Sequence, residues 1–89
     1  MLREPKSPAH DPQALALGAL GWVLADGDRA GRLLALTGLD ADALRAGLGD
    51  PAVLGAVLEF LASHEPDLVA AAEHLGIEPA ELMAAKEKL

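Results

Sequence analysis

Residues 11–25 read DPQALALGALGWVLA, and this stretch decides the fold. Asp11 is a good N-cap residue, and Pro12 suits the first helical position because its missing N–H needs no partner there. No charged residue follows until Asp26. A helix that is apolar on nearly all sides is typical of a buried position. The stretch therefore predicts a central helix from residue 12 to about residue 25.

Gly18 and Gly21 lie three residues apart inside this predicted helix. Each costs about 1 kcal/mol of helix stability relative to Ala. A missing Cβ permits close approach of a neighbouring backbone or side chain. We therefore expect another helix to cross closely at these two positions.

Two shorter helices and a glycine turn follow the first helix. The second helix is predicted over residues 28–37, and Gly38 suits the left-handed conformation that ends many helices. The leucines of this helix expected to face inward are Leu33, Leu34 and Leu36. Asp40 is the N-cap of a third helix over residues 41–48, which Gly49 closes.

The second half of the chain repeats this order of elements. Asp50 again precedes a proline, and a fourth helix is predicted over about residues 51–63. Pro66 begins a fifth helix that ends at Gly76, and Pro79 begins a sixth that runs to near the C-terminus.

The two halves, residues 11–49 and 50–89, are similar in detail. A shift of thirty-eight positions places Gly18–Ala46 on Ala56–Ala84. The matched pairs that composition explains least are Trp22 with Phe60, Gly38 with Gly76, Leu39 with Ile77, Asp40 with Glu78 and Leu44 with Leu82. A period near thirty-eight falls in the range of helical repeats. We predict a duplication with the two aromatic residues as equivalent core anchors; the alternative is convergent use of the same capping chemistry.

Composition points to helices throughout. Hydrophobic residues make up 52% of the 89 residues and are mostly Ala and Leu, the strongest helix formers, while aromatic residues make up 2%. Strands are disfavoured because β-branched and aromatic residues are few. The chain is predicted to be all-α, a compact bundle of five or six short helices in two similar three-helix halves packed together. Residues 1–10 are predicted to be a flexible N-terminal arm, and residues 11–89 a single helical domain.

Charge and cysteine content exclude several functions. The formal net charge is −7, and residues 50–89 hold eight acids and two bases, a net charge of −6. This half should repel phosphate backbones and attract basic partners. The chain has no Cys, which excludes disulfides, Cys-ligated metals and thiol catalysis.

The region 66–89 resembles a DNA-binding helix-turn-helix. The resemblance rests on Ala72, Gly76, Ile77 and Leu82, whose spacing suits two helices joined by a tight turn. The second helix, however, has no Arg, Asn or Gln to read base edges, and the region is acidic. We predict a helix hairpin, and keep a nucleic-acid-binding regulator as the alternative function.

Motifs for metals and catalysis are weak. Residues 26–31 resemble the opening of a calcium loop, but Ala30 and Thr37 replace its fifth and twelfth ligands, which favours an acidic helix start. The neighbours His64-Glu65 and Glu73-His74 lack the ligand spacing of a metal site within one helix. We predict no catalytic, cofactor-binding or metal site, and no cofactor. The hydroxyl residues are Ser7, Thr37 and Ser63, and no Gly-rich phosphate loop occurs.

Arg3 and Lys6 precede the apolar run of the first helix, as in a signal peptide, but Glu4 interrupts the basic region. The run also has a counterpart in the fourth helix, so we expect it to belong to the fold. It is too short to span a bilayer. We expect a cytoplasmic protein that does not enter a membrane.

Four segments carry a resemblance to a known family: Ala19–Trp22, Arg32–Leu39, Asp50-Pro51 and Val57–Leu61. In them the chain is similar to an uncharacterised family of short bacterial proteins, domain of unknown function 3572. The resemblance covers nearly the whole chain after residue 10. It implies a small cytoplasmic helical protein and transfers no catalytic or binding residue.

These observations favour a small non-enzymatic protein-interaction module. Its expected partner is an unknown protein or a second copy of the chain, which would cover part of the surplus apolar surface. Nucleic acid is disfavoured as a partner, and no small-molecule ligand is indicated.

Overall fold

The computed structural model describes residues 11–89, and the arm predicted for residues 1–10 lies outside them. The described residues form six α-helices and no strand. The helices are α1 (Pro12–Leu24), α2 (Gly27–Thr37), α3 (Ala41–Ala46), α4 (Pro51–Ala62), α5 (Glu65–Leu75) and α6 (Pro79–Glu87). The prediction of an all-α bundle of five or six short helices is confirmed.

Aspartates begin the helices of the first half and α4. Three of these aspartate side chains accept hydrogen bonds from backbone N–H groups, each worth about 1 kcal/mol of helix stability. These bonds join Asp26 to Arg29 at 2.9 Å, Asp40 to Ala43 at 2.7 Å and Asp50 to Ala52 at 2.9 Å. Asp11 occupies the N-cap of α1 without a side-chain bond of this kind. The helix starts therefore lie within one residue of the predicted ones.

Two glycines in the left-handed conformation end the second helix of each half. Gly38 has a φ of 77° and Gly76 a φ of 73°, where a side chain would be strained. After α5, Ile77 N–H donates to the Ala72 carbonyl at 3.0 Å and Gly76 N–H to the Glu73 carbonyl at 3.1 Å. This pair of bonds is the Schellman motif, and both glycine ends are as predicted.

The hydrophobic core is one cluster to which all six helices contribute. Helix α1 packs against α2, α4, α5 and α6, which confirms its predicted central position. The core residues are Leu15, Ala16, Ala19, Leu20, Val23, Leu33, Leu44, Leu54, Val57, Leu58, Phe60, Leu61, Leu68, Ala71, Ala72, Leu82 and Ala85.

Helix α3 is shorter than predicted. It ends at Ala46 and Gly47 caps it, whereas the prediction extended it to Leu48 and closed it at Gly49. A Cβ on Gly47 would lie 2.5 Å from Cγ2 of Val53, so only a glycine permits this close approach of α3 to the start of α4. The chain turns there because tertiary packing requires it. Helix α3 packs only lightly on the other helices, through the buried Leu44.

Two predictions about α1 and α2 were wrong in part. On α2, Leu33 is buried and Leu34 half-buried, but Leu36 is 72% exposed instead of facing inward. Helix α2 packs mainly against α1 and α4, which cover one narrow stripe. On α1, the close approach occurs at Gly18, where a Cβ would lie 2.7 Å from Cδ2 of Leu75 on α5, whereas a Cβ on Gly21 would meet no such neighbour within 4 Å.

Within residues 11–89, no helix combines the length and the apolar character needed to cross a bilayer.

Candidate functional site

Several large hydrophobic side chains of the described residues are exposed. They are Leu17 at 38%, Leu24 at 46%, Leu36 at 72%, Leu48 at 40% and Val69 at 41%. Single exposed leucines are normal on protein surfaces, so their grouping is what matters. Leu24 and Leu48 lie at one depression and Leu36 lies at another.

The first depression is formed by the end of α1, by α2 and by α3 with the residue Leu48 that follows it. We call it the α3 pocket, and its volume is about 290 Å³. The α3 pocket is lined by Leu24, Leu34, Ala41, Leu44, Arg45 and Leu48. Leu44 forms its buried floor, while Leu24 and Leu48 are half-exposed. Such a wall suits apolar side chains of a partner.

Local sequence explains why this pocket stays open. The left-handed turn at Gly38 and the tight turn at Gly47 hold α3 as a short helix with a single buried leucine. Leu48 follows directly between two glycines, so its neighbours in sequence cannot cover it. Leu24 is the last residue of α1, where the helices that cover the rest of α1 leave it half-exposed.

Aspartates are close in sequence to the residues that line the α3 pocket. Asp26, Asp40, Asp42 and Asp50 each lie within two residues of a residue in its wall. The cation of the wall is Arg45, whose Nη1 lies 3.0 Å from Oδ1 of Asp42. Arg32 also lies within two residues of the wall, at Leu34, and pairs with Asp67, so the residues near this apolar pocket have an excess of negative charge.

The second depression is a groove between α2 and α4 with a volume of about 220 Å³. The groove is lined by Leu36, Thr37, Ala56, Glu59, Phe60 and Ser63. Both of its hydroxyls are committed to helix ends. Thr37 donates to the Leu33 carbonyl at 2.7 Å, and Ser63 donates to the Phe60 carbonyl at 2.9 Å. These are the Ser and Thr side chains within residues 11–89, and they bond to carbonyls of their own helices.

The Trp22 ring is covered by a cation of its own chain. The guanidinium carbon of Arg29 lies 3.7 Å from the ring centroid, and Arg29 Nη2 donates to the Trp22 carbonyl oxygen. Phe60 is buried in the core, whereas Trp22 is only half-buried and packs against the core. The prediction of two equivalent core anchors is therefore wrong for Trp22, because its outer face contacts Arg29.

A polar cluster joins α2 to α5. Arg32 Nη2 lies 2.8 Å from Oδ2 of Asp67, whose side chain is 15% exposed, and His64 Nε2 lies 3.8 Å from the same oxygen. Asp28 lies at the favourable i,i+4 spacing from Arg32 on the same helix, but the fold pairs Arg32 with Asp67. His64 follows α4 and occupies the N-cap position of α5. In residues 11–89, no group of three or more His, Asp or Glu side chains is arranged to hold a metal ion.

A family model described as "Protein of unknown function (DUF3572)" matches residues 9–89. The chain belongs to this family. The match covers all six helices, so the resemblance found in the sequence is confirmed. No curated protein and no solved structure matches the chain. The family's description names no activity.

The α5–α6 hairpin of this DUF3572 member forms as predicted. Leu82 and Ala85 pack α6 into the core, and Lys86 Nζ lies 3.2 Å from Oε1 of Glu59 on α4. The exposed residues of α6 are Ala80, Glu81, Ala84 and Glu87, with Lys88 following. This surface has two acids and one base, an arrangement that does not suit a phosphate backbone.

Sequence reasoning named no site residues, and it missed the α3 pocket in this family member. Leu34 was expected to face the core, while Leu24 and Leu48 were assigned only to helix ends. One signal was available. A large leucine between two glycines, as at Leu48, has little chance of being covered by its own segment.

Proposed function

We propose that this chain is a non-enzymatic protein-interaction module. The observation that carries the proposal is the α3 pocket, an apolar depression with two half-exposed leucines, Leu24 and Leu48, at its edge. Removing apolar surface from water stabilises a complex by about 25 cal/mol per Å². A partner that covers both leucines would remove their apolar surface from water and so stabilise the complex.

The polar groups near both depressions support the non-enzymatic part of the proposal. Thr37 and Ser63 donate to backbone carbonyls. Asp40 and Asp50 accept from backbone N–H groups at helix starts, and Asp67 pairs with Arg32. These groups are committed to stabilising the fold, whereas a catalytic pair needs one side chain aimed at another across an open cleft.

Nucleic-acid binding through residues 66–89 is the alternative function. A gel shift at low salt tests it, since phosphate contacts are strongest there. We expect no shift, because the exposed surface of α6 has an excess of carboxylates. A shift that weakens as salt is raised would favour the nucleic-acid function.

Photocrosslinking in the cells that naturally produce the protein tests the proposal. A photoreactive phenylalanine derivative is placed one position at a time at the five exposed hydrophobic residues, Leu17, Leu24, Leu36, Leu48 and Val69. We expect an adduct of defined mass from the positions that contact a partner. Glu73 is the control, because it is exposed on α5 but polar. The proposal fails if no apolar position gives an adduct, or if Glu73 gives the same one.

We also propose that the two halves arose by duplication. Several positions related by the shift of thirty-eight share their burial, as in Leu20 with Leu58 and Leu44 with Leu82, all in the core, whereas Trp22 and Phe60 differ. The halves differ at their glycine turns. Gly38 N–H makes one bond, to the Leu34 carbonyl at 3.0 Å, and the Thr37 hydroxyl accepts from Leu39 N–H at 3.3 Å. The hydroxyl thus replaces the second bond of the Schellman motif.

We propose a bacterial, cytoplasmic setting for this module, as the family resemblance implies. The apolar run that resembles a signal peptide forms α1, which packs against four other helices of the domain. Its place in the core supports a role in the fold.

A further inference from the structure

We propose that the α3 pocket binds a basic amphipathic helix of a partner protein, which inserts large aliphatic side chains between Leu24 and Leu48. This inference rests on the proposed interaction function, and it names the surface and the chemistry of the partner. Three observations support it. The size of the pocket and the charge around it indicate what kind of helix binds there, and the pairing of the chain's own cations argues against a second copy of this chain.

The size of the pocket sets what enters it. Its volume is about 290 Å³. An apolar cavity of about 150 Å³ in a protein interior accepts benzene, so the α3 pocket holds about two side chains of Leu or Met size. Two side chains that enter one depression must be close neighbours on the partner. Positions i and i+3 or i+4 of a helix meet this requirement, because their Cβ atoms are about 5–6 Å apart on one face.

The charge around the pocket selects a basic partner. Four aspartates, Asp26, Asp40, Asp42 and Asp50, lie within two residues of its wall, against two arginines in or near it that are already paired, Arg32 with Asp67 and Arg45 with Asp42. The chain as a whole has a formal net charge of −7. Lys or Arg residues beside the aliphatic anchors of the partner would be attracted to this negative charge, whereas an acidic helix would be repelled.

A second copy of this chain is a poor occupant of the same pocket. It would bring the same aspartates and the same negative net charge. Its cations on the helices are also engaged. Arg29 covers Trp22, Arg32 pairs with Asp67, and Lys86 pairs with Glu59. Lys88 at the end of α6 pairs with no carboxylate of the described residues, but its exposed neighbours along α6 are Ala84 and Glu87 and not large aliphatic side chains, so the charge argument favours a different protein.

A peptide titration tests the inference. The probe is a labelled synthetic helix of about 18 residues, with leucines along one face and lysines at the other positions, long enough to form a helix. Its fluorescence anisotropy is followed as the full chain is added. Two control peptides keep the length: one replaces every lysine by glutamate, and one scrambles the leucines. We expect the lysine peptide to bind at least about tenfold more tightly than either control, a difference of about 1.4 kcal/mol.

Protein variants separate the pocket from general attraction to an acidic protein. Ala41→Phe fills the pocket from its exposed wall, and Leu24→Ser with Leu48→Ser removes its apolar edge. The matched control is Leu17→Ser with Val69→Ser, two leucine-like positions of similar exposure outside the pocket. Both pocket variants should weaken binding at least about tenfold, and the control less than about twofold. Helix content by circular dichroism identifies any variant that fails to fold, and the other pocket variant then decides.

Defined outcomes overturn the inference. These are no binding of the lysine peptide, equal binding of the glutamate peptide, equal losses in pocket and control variants, or a homodimer by light scattering that Ala41→Phe dissociates. The photocrosslinks distinguish this failure from failure of the interaction function. Adducts from Leu17, Leu36 or Val69 but none from Leu24 and Leu48 would overturn the pocket and leave the interaction module. No adduct from any position would overturn both.

Discussion

Replacing Arg29 by Ala should loosen the junction between α1 and α2. The Arg29 guanidinium stacks on the Trp22 ring, 3.7 Å from its centroid, and its Nη2 donates to the Trp22 carbonyl near the end of α1. The backbone N–H of Arg29 separately donates to Asp26, the N-cap of α2. Arg29→Ala removes the stacking on Trp22 and the bond to its carbonyl but keeps the backbone bond to Asp26. The loss of stability therefore measures the contribution of the Arg29 side chain alone.

The magnitude follows from these contacts. A partly exposed cation–π contact is worth about 0.5–1 kcal/mol. A hydrogen bond from a charged donor is worth about 1.5–3 kcal/mol, and partial exposure of Arg29 favours the lower end. The Nε atom of Arg29 is buried without a hydrogen-bond partner, which destabilises the native protein. Removing it in Arg29→Ala therefore restores about 1 kcal/mol or more of the stability that the variant loses. We expect a net loss of about 1–2 kcal/mol. For a domain of this size, 1 kcal/mol lowers Tm by about 4–8 °C.

Trp22 makes the assay simple. It is the only Trp, and the chain has no Tyr, so intrinsic fluorescence above the Phe range reports this one ring. Thermal unfolding is followed by Trp22 emission and by circular dichroism, whose transitions should coincide for a single cooperative domain. Native Arg29→Ala should also show red-shifted emission, because the ring gains contact with water. Arg29→Lys keeps the cation but loses the planar fork, and should be intermediate.

Arg45→Ala is the matched control. Arg45 pairs with Asp42 one turn away and both side chains are largely exposed, so the loss should stay below about 0.5 kcal/mol. Equal Tm values for Arg29→Ala and Arg45→Ala would refute the reasoning. So would an unchanged emission maximum in Arg29→Ala, since the ring would then owe its environment to other groups.

The other predictions concern glycines, and urea unfolding measures all three. Gly21→Ala should stabilise the domain by about 0.5–1 kcal/mol, because Gly21 lies inside α1 with open space around it; a loss of stability would show an unrecognised contact. Gly47→Ala should destabilise it by about 1–3 kcal/mol, since the new Cβ would lie 2.5 Å from Cγ2 of Val53, and Val53→Ala in the same chain should recover part of this loss. Gly76→Ala should destabilise the domain by about 1 kcal/mol or more, because an Ala is strained at a φ of 73°. Gly76→Asn should destabilise it less, because Asn tolerates this conformation, and equal losses of stability would argue against backbone strain.

Local chemistry explains why the helix boundaries were predictable. Asp40 and Asp50 bond N–H groups two or three residues away, and Gly76 is required by the φ of its own turn. These interactions join residues close in sequence, so their energies hardly depend on the rest of the fold. Glu81 follows the same rule, since its Oε1 accepts from Glu78 N–H at 2.9 Å at the start of α6.

Burial was harder to predict, because it depends on which helices meet. Leu33 and Leu36 belong to the same apolar segment of α2, yet one is in the core and the other is 72% exposed. Gly18 and Gly21 look alike in sequence, but Leu75 of α5 contacts only Gly18. In each pair the local sequence is equivalent, and only the position of a distant helix distinguishes the members.

The candidate site depends on tertiary structure almost entirely. The walls of the α3 pocket come from α1, α2 and α3, and no short motif unites Leu24, Leu34 and Leu48. The pairing of Arg32 with Asp67 joins residues thirty-five positions apart, although Asp28 lies only four positions away on the same helix. Sequence did predict the charge that we assign to the partner, since the acidic surplus is visible without coordinates.

The residues by themselves therefore determined the class of fold, the number of helices and nearly every helix end. Composition, N-capping aspartates and left-handed glycines act over a few residues, so their effects can be read directly along the chain. Tertiary structure alone decided that α3 ends at Gly47, that Trp22 contacts Arg29 through its outer face, and that Leu24 and Leu48 remain half-exposed around a pocket. These features arise where helices distant in sequence meet or fail to meet, because packing energy belongs to the contact between elements and not to either element alone.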